Sequence, residues 1–182
     1  MNSTELLMAD HEIILKAVHI LEAICDQTER REAVDKSDVR SLLTFLRDFA
    51  DGAHHVKEEA ILFPALMQAG MAMHEGPLRV MAYEHERGRA LIAAMDEALG
   101  RNDNYDFVMY ARRYIKLLTE HIEKENYVLF DIADQKLMDD EDQKIAEAFE
   151  HFEQNIVGGL ACRRLKETVA DLAAKYLGVA VK

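Results

Sequence analysis

His54, Lys57, Glu58, Leu62 and Phe63 recur in type and spacing as His121, Lys124, Glu125, Leu129 and Phe130, so the chain carries H-x-x-K-E-x-x-x-L-F twice. Residues four apart stand one above the other on a helix. Each copy therefore sets an imidazole beside a carboxylate on one face. Neutral imidazole suits Fe, Zn, Cu and Mn, and carboxylates can bridge two such ions. Two of these pairs facing each other across a helical core make a nitrogen and oxygen ligand set for two transition-metal ions.

Two further histidines fit the same picture. His11 falls on the apolar stripe of Leu7, Ile14, Val18 and Leu21, and His85 on that of Leu78, Met81, Gly88 and Ile92. We expect His11 and His54 on one metal, His85 and His121 on the other, and Glu58 and Glu125 as bridges. Alone, a histidine on an apolar stripe is more often a hydrogen-bonded core residue. A lone H-x-x-x-E is worth only a few tenths of a kcal/mol on a solvated helix. The combination outweighs both. Two buried carboxylates without counter-charge cost several kcal/mol each, and the core faces offer no Lys or Arg at these positions other than Arg89. A structural zinc site would usually use Cys, and a ferritin-type site needs Glu-x-x-His on two helices; neither pattern is present. His55 and Glu59 repeat the spacing one residue along. The Leu-Phe match assigns the register to His54, which leaves His55 and Glu59 behind the ligands or at the surface. His74 and His151 are expected to be exposed, and His19 partly so.

The elements that must position these groups are helices. Ala, Leu, Glu, Lys, Arg and Met are plentiful, while only 8 Gly and 2 Pro are present in 182 residues. Ser3 or Thr4 is the expected N-cap of a first helix ending near Gln27, and Ser37 that of a second. Pro64 should kink or end the second helix, with a loop from Met67 to Pro77. Pro77 opens a third helix that stops at Gly100. A fourth presents Tyr110, Tyr114, Leu117, His121, Glu125 and Leu129 on one face. Beyond Asp139 a helix with Ile145, Phe149, Phe152 and Ile156 inward is broken at Gly158-Gly159, and a last segment runs from Leu160 to Leu177. Short connections predict an all-α, up-down-up-down four-helix bundle over residues 1–136, with a C-terminal helical extension over 137–182 packed on it.

Composition sets the outer bounds. Apolar residues make up 49% and charged ones 31%, an ordinary globular balance. A formal charge of −12 excludes nucleic acid and anionic membrane as partners, because both need a basic footprint. Cys25 and Cys162 stand alone, as reduced thiols do in a cytosol. With no signal peptide and no apolar run long enough to span a bilayer, a soluble, cytoplasmic protein is expected. A homodimer through the extension is compatible with the sequence.

The chain resembles the hemerythrin-like family of HHE cation-binding domains. The matching elements are Asp10-His11-Glu12, His54-His55-x-x-Glu58-Glu59 with Leu62-Phe63-Pro64, Glu84-His85-Glu86, and His121-Ile122-Glu123-Lys124-Glu125 with Leu129-Phe130. The resemblance implies a bundle holding a carboxylate-bridged non-haem di-iron site that binds or reacts with O2, NO or peroxide, Mn or Zn being alternative metals. Oxygen carriers of the family have a second third-helix histidine where this chain has Arg89. Their last bridging carboxylate is an Asp one residue beyond Glu125. The resemblance therefore implies an open position on one iron, and favours sensing, redox chemistry or iron handling over reversible O2 carriage. A di-iron peroxidase or oxidase and a metal-free interaction module are the competing readings. Tyr114 is either a hydrogen-bond partner behind the site or core.

Overall fold

A computed structural model describes residues 1–178, and every regular element in it is helical. The first helix, α1 (Ser3–Glu29), starts one residue earlier than either expected cap allows. Asn2 is the N-cap: its side chain accepts from the Glu5 N–H while the Glu5 carboxylate accepts from the Asn2 N–H. Ser3 and Thr4 are instead buried ties to the far end of the chain. The Ser3 N–H donates to Asp142 at 3.1 Å, and the Thr4 hydroxyl to Asp134 at 2.8 Å.

The second helix, α2, runs unbroken over residues 36–68, and Asp35 rather than Ser37 caps it. It is not uniform. Lys36–Phe45 is regular, Leu46–His55 and Glu58–Leu62 are wound as π-helix, and Phe63–Gln68 is regular again. Pro64 therefore neither ends nor sharply breaks it. The fourth helix repeats this construction: Asn104–Lys124 is regular, Glu125–Leu129 is π-helical, and Phe130–Lys136 closes it. In both helices a π turn begins at the glutamate of the repeated motif, and Asp131 stands in the second copy where Pro64 stands in the first. The same widening without a proline shows that the proline does not cause it.

Between these lies α3 (Gly76–Gly100), with Pro77 in its first turn, and α4 is the 104–136 rod just described. After Met138, α5 (Asp139–Phe152) passes into a π turn, Glu153–Gly158. Gly158 there adopts φ +95°, a backbone closed to most L-residues, and the chain restarts as α6 (Gly159–Leu177). Ile156, expected on the buried stripe, is 68% exposed, because the stripe ends where the winding changes. Residues 179–182 of the expected extension lie outside the described part. Among the described residues no helix is long and apolar enough to cross a membrane.

The buried apolar residues fall into two clusters. One collects Ile14 to Cys25 of α1, Val39 to Ala53 of α2, Ile92 to Leu99 of α3 and Phe107 to Ile122 of α4, and is closed by Cys162, Val169, Leu172 and Ala173 of α6. The other holds Leu7, Leu62, Phe63, Leu66, Leu78, Met81, Leu129, Phe130 and Ala133, closed by Ile145 and Phe149 of α5. α3 lies along α4, α1 along α4 and α6, and α6 also packs on Lys36–Phe45 of α2. In every one of the first four helices the buried histidines sit where the helix passes from one cluster to the other.

Candidate metal centre

His11, His54, His55, His85, His121, Glu58 and Glu125 meet in that passage, none of them more than 4% exposed. Their inward atoms form two groups, each with all ligand atoms within 4.8 Å of one another: His11, His54, Glu58 and Glu125, and His55, Glu58, His85 and His121. Glu58 belongs to both. The six residues singled out in the sequence are thus brought together; Glu125, expected as a second bridge, falls in the first group alone, and the second group holds a third histidine.

His55 joins them from a position assigned to the periphery. Adjacent residues of an α-helix point about 100° apart, so only one of His54 and His55 was expected inside. The π winding of Leu46–His55 uses i→i+5 hydrogen bonds and a smaller step per residue. That lets both rings face inward. His55 stacks on His85, with centroids 3.9 Å apart and planes 13° off parallel. It takes the place in the second group that a third-helix histidine was expected to leave open. Arg89, at that third-helix position, turns away and bridges Asp51 at 2.8 Å and Glu59 at 2.6 Å. Gly88, one turn from His85, is buried against Tyr114, and a methyl group there would meet the ring at 3.7 Å, an ordinary contact.

The rings are oriented from behind. The Nδ1 atom of His11 lies 2.7 Å from the Asn126 amide oxygen, that of His85 2.7 Å from Glu59, and that of His121 3.0 Å from Glu84. His55 Nδ1 faces Asp51 at 3.3 Å and His54 Nδ1 faces Asp10 at 3.6 Å. Every Nε2 consequently points into the centre. Backing of this kind fixes ring orientation and tautomer in metal sites.

What the inward atoms meet is one another. His85 Nε2 lies 3.1 Å from His121 Nε2 and 3.3 Å from Glu58, while His11 Nε2 and His121 Nε2 each lie 3.2 Å from Glu125. The Nε2 atoms of His11, His54 and His55 and all four oxygens of Glu58 and Glu125 have no hydrogen-bond partner. Buried polar atoms are normally satisfied, and each exception requires a reason. Metal bonds of roughly 2.1 Å place neighbouring ligand atoms roughly 3–4 Å apart, which is the spacing seen. The donor set fits a pair of transition-metal ions.

Buried lysine is the one cation the sequence reading missed. Lys57 is 3% exposed, but its ammonium goes to Asp10 rather than to Glu58 or Glu125. With only the protein's own groups present, protons take the positive role. Burial pushes His121 down, yet Glu125 more than offsets it and holds the ring at about 9; burial likewise opposes the Glu125, Glu58 and Glu59 carboxylates at His85, which stands at about 11. Glu125 is held well below the carboxylate range, because His121 and His11 outweigh its burial. His55 moves the other way: burial and the neighbouring His85 push it well below the ordinary histidine range.

A family model described as hemerythrin HHE cation binding domain matches residues 2–133. The chain belongs to this family. It is also 26% identical over 182 residues to the uncharacterised proteins Rv1995 of Mycobacterium tuberculosis (strain ATCC 25618 / H37Rv) and Mb2018 of Mycobacterium bovis, with 95% of this chain and 69% of each relative covered. No solved structure matches the chain. The hemerythrin-family assignment and the buried His/Glu cluster together point to metal binding. His74 and His151 are exposed and stand apart from the cluster, as does His19.

Proposed function

We propose that the protein holds two iron ions between the four helices of an alternating bundle and uses them to bind or react with O2, NO or peroxide. His11, His54, Glu58 and Glu125 would hold one ion, and His55, Glu58, His85 and His121 the other, with Glu58 reaching both. The observation that carries this reading is the set of unpartnered inward atoms: three imidazole nitrogens and four carboxylate oxygens, all buried, on residues that fall into two groups whose ligand atoms lie within 4.8 Å of one another. An iron pair held there would supply redox chemistry towards a small ligand. The chain supplies the rest. Glu58 and Glu125 neutralise positive charge, and Nδ1 hydrogen bonds keep the rings of His11, His55, His85 and His121 aimed inward. The Leu62, Phe63, Leu129 and Phe130 cluster excludes water on one side.

The order in which the helices cross the two apolar clusters supports the alternating arrangement. α1 and α3 pass from the Leu7 cluster to the Ile14 cluster, and α2 and α4 pass back. The test is metal content after anaerobic loading with Fe(II), followed by the visible spectrum as air is admitted. About two irons per chain with a reversible band supports binding or sensing. Irreversible oxidation with consumption of peroxide supports a redox enzyme instead. A chain that takes up no metal overturns the reading.

A further inference from the structure

The repeated motif contains a lysine for which ligand geometry alone gives no use. Lys57 follows His54 by three residues and Lys124 follows His121 by three. In the first copy the lysine reaches across to Asp10 of α1, the carboxylate that faces His54 Nδ1. In the second copy it reaches across to Glu84 of α3, the carboxylate that faces His121 Nδ1. The same three residue types thus meet twice, on different neighbouring helices: the second copy closes to hydrogen bonds, while in the first His54 Nδ1 stands 3.6 Å from Asp10 and has no hydrogen-bond partner. Arg89 completes the set by holding Asp51 and Glu59, which face His55 and His85. His55, His85 and His121 are hydrogen-bonded to a carboxylate and His54 faces one at 3.6 Å, and each of those carboxylates is gripped by a cation. His11, backed by the neutral amide of Asn126, is the exception.

Burying an ammonium group is costly unless it is paired, and Lys57 is 3% exposed. A surface ion pair would not carry that cost, so the position is specific. The chemistry follows from how a backing carboxylate acts. Accepting the imidazole N–H makes the ring a stronger donor to its metal. A carboxylate that must also satisfy a cation accepts that proton less strongly, and the cation adds positive charge near the site. Both effects favour the reduced metal.

We propose that Lys57, Lys124 and Arg89 are positioning residues that pair with the carboxylates behind the histidines, weaken the pull of those carboxylates on the imidazole N–H groups, and thereby raise the reduction potential of the centre. This rests on the metal reading above. The clearest position for a test is Lys124, because its side chain is 38% exposed, whereas Lys57 is buried. The readout is the ratio of oxidised to reduced iron at fixed potential, on protein loaded with Fe(II), for wild type, Lys124→Met, Lys124→Arg and Glu84→Gln. Lys124→Met should shift the ratio about tenfold towards oxidised iron, ~59 mV for a one-electron couple. Glu84→Gln should shift it in the opposite sense, and Lys124→Arg should restore the wild-type ratio. An unchanged ratio in Lys124→Met, or a shift in the same direction as Glu84→Gln, overturns the proposal. Loss of iron in both Lys124→Met and Lys124→Arg also overturns it, since packing and not charge would then be at issue. Failure of the wild type to take up Fe(II) is a different result, and it removes the metal reading itself.

Discussion

His55 lies face to face with His85, ring centroids 3.9 Å apart, with its Nδ1 towards Asp51 and its Nε2 unpartnered in the centre. A ring so placed is positioned to ligate, whereas a ring behind the ligands would have no reason to present a bare nitrogen. His55→Ala should therefore cost one ion per chain. The loss in affinity for that ion should exceed the roughly 10–100-fold typical of residues that only back a ligand. Metal analysis after dialysis against a weak chelator checks it; full occupancy would return His55 to a packing role.

Glu58 is the one residue common to both groups. Its replacement should affect both ions, unlike that of His55. Wild-type protein should gain roughly 3 kcal/mol on loading at about a hundred times the dissociation constant, and Glu58→Gln less than about 1. Thermal unfolding with and without Fe(II) measures this. A metal-free helical module predicts no gain in either protein, and equal or higher stability for Glu58→Ala.

Protons and metal compete for the same nitrogens. Because Glu125 outweighs burial and lifts His121 to about 9, the metal-free protein keeps that ring charged at neutral pH. The charged ring stabilises the metal-free fold fully below the ordinary value of 6.5, and that contribution is lost as pH rises through about 9. Loading runs the other way, since each ring must shed its proton to ligate. Affinity should rise with pH, by about tenfold per unit for each proton released. Proton release into weak buffer on adding Fe(II) gives the count. Tighter binding at acid pH would contradict the geometry.

Tyr114 is 1% exposed and its hydroxyl has no partner, while burial and the charge of Asp51 push its ionisation up. An unsatisfied buried hydroxyl costs about 1–3 kcal/mol. Tyr114→Phe should leave metal content intact and raise the melting temperature by a few degrees, as measured by calorimetry. A drop in stability would mean that the hydroxyl is satisfied in solution.

Much of this was legible in residue order. The repeat, the histidine on each of the first four helices and the Gly158 break all follow from periodicity and turn chemistry, which are local. Local errors were small: Asn2 caps α1 and Asp35 caps α2, one or two residues from the expected Ser or Thr. What escaped has two physical causes. An assumed α-helical step excludes His55, and no propensity announces a π turn, although the doublet His54-His55 followed by Glu58-Glu59 hinted that both registers were in use. Contacts between distant residues escaped as well. Lys57 on Asp10, Lys124 on Glu84 and Ser3 on Asp142 join positions far apart in the chain, and only the fold reveals which carboxylate each one meets.

The placement of the polar layer between two apolar clusters has a mechanical consequence. Oil-like cohesion holds each cluster together, but across the layer the helices are joined by whatever satisfies the histidines and glutamates. A pair of metal ions bound there would act as a rivet, added to the ties of Lys57 to Asp10, Lys124 to Glu84 and Arg89 to Asp51 and Glu59. Loading should then slow amide exchange most strongly in the π turns at Glu58 and Glu125 and least at the ends of the helices, so that occupancy is felt along the whole rod as stiffness.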